Sequence, residues 1–243
     1  MGAVATLTTV GPDTRYTAWR DGLWVVAALL LLLAWDLSGL DMPLARLYGS
    51  LEGFAWRDHW LTGGVLHAGA RRLAWVVFGV LLLGLWSPLP FVRDLSQRER
   101  IWWLATMLLC VALIPLLKRT SWTSCPWSLA EFGGAAQYVP HWVLGRRDGG
   151  PGGCFPSGHA STAFAFMAGW FALRERQPRA ARLWLIVTVA AGLALGWVQM
   201  MRGAHYLSHS LWTALVCWLV TLLSFYGSRG WRAAGGPKSS TSE

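Results

Sequence analysis

The chain has 243 residues, of which 54% are hydrophobic and only 14% are charged, with a mean hydropathy of +0.39. Soluble domains carry about 25% charged residues, so this composition indicates a membrane protein and excludes a disordered chain. The net charge of +9 would suit anionic lipid or a phosphorylated substrate, whereas a nucleic-acid partner is disfavoured because most basic residues stand at the ends of apolar segments.

Six apolar segments approach the length of about 20 residues that a transmembrane helix needs. They lie at residues 23–40, 73–92, 101–117, 160–173, 183–201 and 211–226. The predicted fold class is therefore all-α, a membrane bundle of six helices. The predicted domains are an N-terminal tail at 1–22, a membrane domain at 23–228 and a disordered tail at 229–243.

The loops differ in their content of Lys and Arg. More of the 21 basic residues fall on the side of both termini than on the opposite side. Basic loops stay in the cytoplasm, so both termini are predicted to be cytoplasmic. The two long loops, 41–72 and 118–157, then lie on the outer side, where long connections tend to carry function.

The first polar cluster on this outer side is Lys118-Arg119-Thr120-Ser121, followed by Cys125-Pro126. One interpretation is purely structural: the two cations extend from a helix end toward water. The alternative is a pair of cations that bind an anion, and the other two clusters favour it.

The second cluster is Cys154-Phe155-Pro156-Ser157-Gly158-His159, at the mouth of the fourth segment. Pro, Ser and Gly favour a turn that opens a helix. Free N–H groups at such a start bind phosphate, although a plain helix cap would look similar. The histidine immediately inside the start favours a functional site.

The third cluster is Gln199, Arg202, His205, Ser208 and His209. If this stretch is helical, Arg202, His205 and His209 share one face. Ionisable residues at membrane depth usually face a cavity or a partner, although histidines that only stabilise structure remain an alternative. Together the three clusters predict a phosphate pocket.

These clusters resemble the type 2 phosphatidic acid phosphatase family (PAP2), the membrane relatives of vanadium haloperoxidases. The resemblance covers about residues 73–226 and rests on Lys118 with Pro126, on Pro156-Ser157-Gly158-His159, and on Arg202 with His205. It implies a bundle of six transmembrane helices in the bacterial inner membrane, with the active site on the periplasmic side. It implies no cofactor and no metal.

The first and third motifs depart from the family pattern. Cys125 stands where the first motif has arginine, Gln199 where the third has arginine, and His209 where the third has aspartate. Arg119 and Arg202 are predicted to replace the missing cations. We interpret the departures as a variant site of a bacterial branch rather than an inactive one.

The resemblance also implies roles for the residues. His205 would attack phosphorus as the nucleophile, giving a phosphohistidine that water hydrolyses, and His159 would protonate the leaving oxygen. The phosphoryl oxygens would be bound by Lys118, Arg119, Arg202 and the backbone of Ser157 and Gly158.

A carboxylate that could orient His205 is missing from the third motif. His209 supplies only a hydrogen bond, so Glu131 or Asp148 of the outer loop is predicted to take that role, with Glu131 preferred. Cys125 and Cys154 share this loop, and we predict a disulfide between them in an oxidising compartment. The alternative is two unrelated small residues.

The family implies an amphiphilic substrate that enters from the lipid bilayer: phosphatidic acid, phosphatidylglycerol phosphate, undecaprenyl diphosphate or a lipid A phosphate. The motifs do not separate these, and the oligomeric state stays open. One alternative is a lipid phosphotransferase with a second lipid as acceptor. Others are a non-enzymatic transporter and a phosphate-binding protein, although a transporter is disfavoured because Asp36 is the main charge within the apolar segments.

Overall fold

The computed structural model describes residues 12–87, 89–143 and 145–233. Helices dominate the described chain, with one small antiparallel hairpin. In chain order the elements are α1 (Pro12–Ser38), α2 (Asp41–Arg46), β1 (Gly49–Ser50), β2 (Gly53–Phe54), a π-helical segment (Trp60–Gly69), α3 (Ala70–Leu83), α4 (Gln97–Arg119), α5 (Gly158–Phe164), α6 (Ala168–Leu173), α7 (Pro178–Met201), α8 (Leu207–Gly227) and α9 (Arg229–Ala233).

Five helices of the described chain are long and apolar enough to cross a membrane, which confirms an all-α membrane fold. They are Ala18–Ser38, Trp60–Leu83, Gln97–Arg119, Pro178–Met201 and Leu207–Gly227. The predicted fourth segment, 160–173, is helical but interrupted: α5 has 7 residues, a 3-10 turn (Ala165–Met167) has 3 and α6 has 6. The structure therefore does not establish the predicted count of six.

The second membrane helix was predicted wrongly at residues 73–92. It runs from Trp60 through the π-helical segment and α3 to Leu83. Hydropathy stays high beyond Leu83, but the helix ends there with Gly84 at its C-terminal cap, and glycine is a poor helix former. At the other end, residues 60–72 belong to this helix although they fall in the predicted loop 41–72. Arg71 thus lies inside this helix and not in a loop.

The ends of the chain differ in part from the predicted tails. Helix α1 begins at Pro12, within the segment that was predicted as a tail. At the other end, α9 occupies the first residues of the segment 229–243 that was predicted to be disordered. Residues 234–243, where the rest of that prediction falls, lie outside the described part of the chain.

Helices α5 and α6 form the centre of the bundle and pack against α4, α7 and α8. Their large side chains are buried, among them Phe164 and Phe171. Gly192 of α7 permits this packing, because a side chain there would collide with the ring of Phe164. Close packing of α5 fixes the position of the residues at its N-terminus.

A second, smaller core lies beyond the end of the bundle where α4 and α7 end. It joins α2 and the hairpin to the loop between α4 and α5 through apolar side chains, which are Met42, Ala45, Phe54, Leu129, Phe132, Ala136 and Tyr206. Asp41, at the first position of α2, accepts a hydrogen bond from the backbone N of Ser208 (3.1 Å). This cap ties the N-terminal region to the start of α8.

Candidate active site

The polar clusters come together at this same end of the bundle. Lys118 lies in the last turn of α4, His159 in the first turn of α5, and His205 in the turn between α7 and α8. The ring centroids of His159 and His205 are 6.4 Å apart. The charge of Lys118 acts on both imidazoles. A phosphoryl group between the two rings would therefore meet a cation.

His205 is almost completely buried, with 1% of its surface exposed. Burial lowers the pKa of His205 well below its ordinary value, and the neighbouring His209, Lys118 and His159 lower it further. The imidazole is therefore neutral at pH 7. A neutral imidazole has a free lone pair, which a nucleophile needs.

Arg202, His205 and His209 were predicted to share one face if their stretch of chain is helical. The helix does not continue through this stretch, so they do not share a helical face. Helix α7 ends at Met201, and Gly203 takes a left-handed conformation with φ of +68°. Other residues rarely adopt this conformation, so the chain leaves the helix here. The turn brings the backbone N of His205 to the carbonyl of Gln199 at 3.3 Å.

The start of α5 differs in detail from the predicted backbone site for phosphate. The backbone N of Ser157 already donates to the carbonyl of His209 at 3.2 Å, so it is not free for an anion. The hydroxyl of Ser157 is buried and has no hydrogen-bond partner among the described residues. A side chain at Gly158 would meet no atom within 4 Å, so the space beside it is open.

Arg202 caps the end of α7 and has a fixed orientation. Its Nε donates to the carbonyl of Arg57 (2.8 Å), and its Nη1 donates to His67 Nδ1 (2.7 Å) and to Gln199 Oε1 (3.3 Å). The ring of His67 in turn lies 4.0 Å from that of His159, between centroids. Arg202 therefore reaches the site through contacts with the π-helical segment.

Arg119 is exposed and makes no side-chain hydrogen bond or ion pair within the part of the chain that the structure describes. Lys118, one residue earlier on α4, is half-buried. Adjacent residues of a helix point about 100° apart, so they cannot both face the same pocket. The structure thus brings Lys118 and Arg202 to the histidines, and leaves Arg119 outside.

Neither of the predicted carboxylates accompanies His205, so that prediction is wrong. Glu131 lies on the surface and pairs with Arg46 of α2 (Nη2–Oε2 3.2 Å). Asp148 is buried within the loop, where it accepts hydrogen bonds from the hydroxyl of Ser124 (2.9 Å) and the backbone N of Gly150 (2.9 Å). Both carboxylates are thus occupied in shaping the outer loop.

His209 lies in the first turn of α8 and is buried among aromatic rings. Its centroid is 5.9 Å from that of His205, 5.2 Å from Phe155 and 5.5 Å from His141. Its Nδ1 has no partner among the described residues. His209 therefore packs beside the candidate nucleophile without a direct hydrogen bond to its ring.

Another histidine, His141, lies near His209 and close to a buried acid, without a hydrogen bond to that acid among the described residues. Nε2 of His141 lies 3.4 Å from Oδ2 of Asp36, which also accepts from Trp212 Nε1 at 2.8 Å. Burial lowers the pKa of His141 to about 4, so this imidazole is neutral at pH 7. Asp36 is thus a buried carboxylate that contacts His141 and Trp212, next to His209.

Cys125 and Cys154 are joined by a disulfide with an S–S distance of 2.06 Å. With His205 they form the one group of three metal-ligating side chains found among the described residues, with ligand atoms within 4.8 Å of one another. Because both sulfurs are bonded to each other, neither is a thiolate that could bind a metal.

An apolar groove of about 380 Å³ lies between α3, α5 and α7. Thr162, three residues after His159, lines it, as does Ala70, three residues after His67. The exposed side chains of Leu73 and Val187 border it, so it opens on the outer surface of the bundle. That surface faces lipid.

Sequence reasoning missed His67, Arg71 and His141. The charge of Arg71, like that of Arg202, acts on His159. For His67 and Arg71 there was a signal, because ionisable residues inside an apolar helix usually serve a site. The helix had been predicted too late in the chain, which hid that signal. His141 lies in a loop, where a histidine alone carries no such signal.

A sequence model of the PAP2 superfamily matches residues 99–232, which is more than half of the chain. The match includes Lys118, His159, Arg202 and His205. No curated protein and no solved structure matches the chain significantly.

Proposed function

Because this chain belongs to the PAP2 superfamily, we propose that it hydrolyses the phosphate ester or diphosphate of a lipid at the outer face of the membrane. Family membership indicates phosphatase activity on phosphate esters in a membrane protein. The proposal adds the lipid nature of the substrate, the side of the membrane and the roles of the residues.

The observation that carries the lipid proposal is the apolar groove, whose lining includes Thr162, three residues after His159 on α5. Its walls are almost entirely apolar, from Ala74 of α3 to Ala191 and Leu195 of α7. A water-soluble phosphate ester would gain nothing from such a wall, whereas an acyl or prenyl chain would bury its surface there. A phosphate held between His159 and His205 would leave its lipid tail pointing into the groove.

In the proposed reaction, Nε2 of His205 attacks phosphorus as the bond from phosphorus to the lipid oxygen breaks. Protonated His159 gives its proton to the departing oxygen, so the lipid leaves as an alcohol or as a monophosphate. Water then attacks the phosphohistidine, His159 accepts a proton from that water, and inorganic phosphate leaves as the N–P bond breaks.

The cations stabilise the charge that develops on the phosphoryl oxygens. Burial, followed by the charges of Lys118 and Arg202 among others, lowers the pKa of His159 to about 4. An anionic phosphate beside the ring would raise this pKa. The binding of substrate thus favours the protonated imidazole that the first step requires. The buried hydroxyl of Ser157 is a further donor for a phosphoryl oxygen.

The test is phosphate release by purified protein in the presence of EDTA. The panel contains phosphatidic acid, phosphatidylglycerol phosphate, undecaprenyl diphosphate and a lipid A phosphate. His205→Ala and His159→Ala should each lower kcat by about 1,000-fold or more. Phosphate release that is undiminished in both variants would overturn the assignment.

The same assay separates the alternatives. Consumption of the lipid phosphate without free phosphate, but with a newly phosphorylated second lipid, would identify a phosphotransferase. No turnover of any lipid by wild-type protein would contradict the proposed function and favour a transporter or a phosphate-binding protein.

A further inference from the structure

The disulfide between Cys125 and Cys154 joins two segments that enclose the site. Cys125 follows α4 and its Lys118, while Cys154 precedes α5 and its His159. The segments also pair through their backbones: the N of Cys154 donates to the carbonyl of Thr123 (2.9 Å) and the N of Gly153 to that of Ser121 (2.8 Å). Cys154 itself is completely buried.

Cys154 contacts the candidate nucleophile directly. Its Sγ lies 3.6 Å from Nδ1 of His205 and 3.2 Å from the carbonyl oxygen of the preceding residue, Ala204. The backbone of Cys154 also lies close enough to raise the pKa of His205, although burial and the neighbouring charges lower it by more. The sulfur of Cys154 thus lies on the Nδ1 side of the ring.

An imidazole that attacks through Nε2 must have its Nδ1 side fixed, because the partner of one nitrogen sets the tautomer and direction of the other. Glu131 and Asp148, the acids predicted for this role, lie elsewhere, and His209 makes no direct hydrogen bond to the ring. Cys154 is the group that is in contact with Nδ1. Its own position depends on the covalent bond to Cys125.

We propose that the Cys125–Cys154 disulfide is a positioning device for His205, and that turnover depends on its oxidised state. The inference rests on the proposed function, since it takes His205 as the nucleophile. Reduction by a thiol or phosphine transfers two electrons and two protons, breaks the S–S bond and leaves two thiols. The side chain of Cys154 can then rotate away from Nδ1, and no bond to His205 is formed or broken.

Cys125→Ala is the most informative variant, because it prevents the disulfide and leaves the Cys154 side chain in place. The variant is made in a Cys110→Ala/Cys217→Ala background, which removes the two buried free thiols and serves as the matched control. The background should keep the wild-type kcat. We expect kcat to fall about 100-fold in Cys125→Ala, in Cys154→Ala and in the double variant alike. KM should change only a fewfold, because a misplaced catalytic group slows the reaction more than it weakens binding.

The pH profile distinguishes positioning from a general loss of stability. A looser loop admits water to His205, so its pKa should return toward the ordinary value and the acid limb of the kcat/KM profile should move to higher pH. A role in stability alone would lower the folded fraction and leave the acid limb in place. An unmoved acid limb with full kcat per folded molecule would overturn the proposal.

A second measurement, on wild-type protein, tests the proposal if the cysteine variants do not fold. Wild-type protein is reduced with a phosphine, its two released thiols are counted by mass after alkylation, and an unalkylated portion is reoxidised with glutathione disulfide. Loss of kcat on reduction and recovery on reoxidation support the proposal, whereas full activity of the reduced protein contradicts it. Oxidised wild-type protein that releases no phosphate contradicts the proposed function instead.

Discussion

Nη1 of Arg202 lies 2.7 Å from Nδ1 of His67. A guanidinium group only donates hydrogen bonds, so Nδ1 of His67 is the acceptor and the proton of its imidazole sits on Nε2. One histidine therefore orients the cation at the end of α7 and packs, with its ring tilted, against His159. The π-helical segment takes part in the site although none of its residues belongs to a recognised motif.

His67→Ala should lower kcat/KM about 10-fold, because Arg202 loses one of three acceptors and the orientation that it provides. Steady-state phosphate release measures the change. His67→Gln, which keeps an acceptor, should recover part of it. His59→Ala is the control, because it removes the side chain that caps the N-terminus of the same segment but does not contact Arg202. An equal loss there would point to unfolding of the segment.

Lys118→Ala and Arg119→Ala should differ sharply although the residues are adjacent. Removal of the half-buried Lys118 should lower kcat by about 100-fold, because a donor to the developing charge disappears. Removal of the exposed Arg119 should change it less than about threefold. Equal losses in the two variants would show that Arg119 turns into the site when substrate binds.

A larger side chain in the apolar groove should discriminate between substrates. Ala191→Trp should lower kcat/KM about 10-fold for a long-chain phosphatidic acid and leave a short-chain soluble analogue nearly unaffected. Ile186→Trp, on the exposed face of the same helix, is the control and should leave both unchanged. If Ala191→Trp slowed both substrates equally, the groove would not be where the lipid tail binds.

Stability should fall as the pH drops from about 6.5 to about 4. Folded His141 takes up a proton only near its pKa of about 4, whereas in the unfolded chain it does so near 6.5. Between these values the unfolded state binds more protons, so the free energy of unfolding decreases by up to about 3 kcal/mol. His205, whose pKa is also lowered, acts in the same direction.

Thermal unfolding in detergent at several pH values measures this loss. The matched variant is His141→Gln, which has no titrating group at this position and should show a shallower decline below pH 6.5. A decline as steep as that of wild-type protein would assign the effect to other groups.

Hydropathy and motif spacing were sufficient for most of the fold and for the residues at the centre of the site. Four membrane helices begin and end within a few residues of the predicted bounds. The placement of Lys118, His159 and His205 at one end of the bundle follows from the ends of those helices. The second membrane helix was shifted because hydropathy stays high after Leu83, where the helix ends at a Gly84 cap.

The partners of His205 could not be predicted in the same way. Glu131 was preferred because it follows the first motif, but its charge is already paired with Arg46, which is 85 residues away in the chain. Contacts at such separations depend on how the loops fold back, and a single sequence contains no record of them. For the same reason the contact between Arg202 and the carbonyl of Arg57 was not foreseen.

Because Asp41 accepts a hydrogen bond from the backbone N of Ser208, a fragment of this protein must contain Asp41 to keep the cap of α8. The family match spans residues 99–232, yet Asp41, the Arg57 carbonyl and His67 all precede it. A fragment limited to the matched residues would start α8 without its acceptor and leave Arg202 with Gln199 as its remaining acceptor. The catalytic unit therefore includes residues that precede the segment matched by the family model.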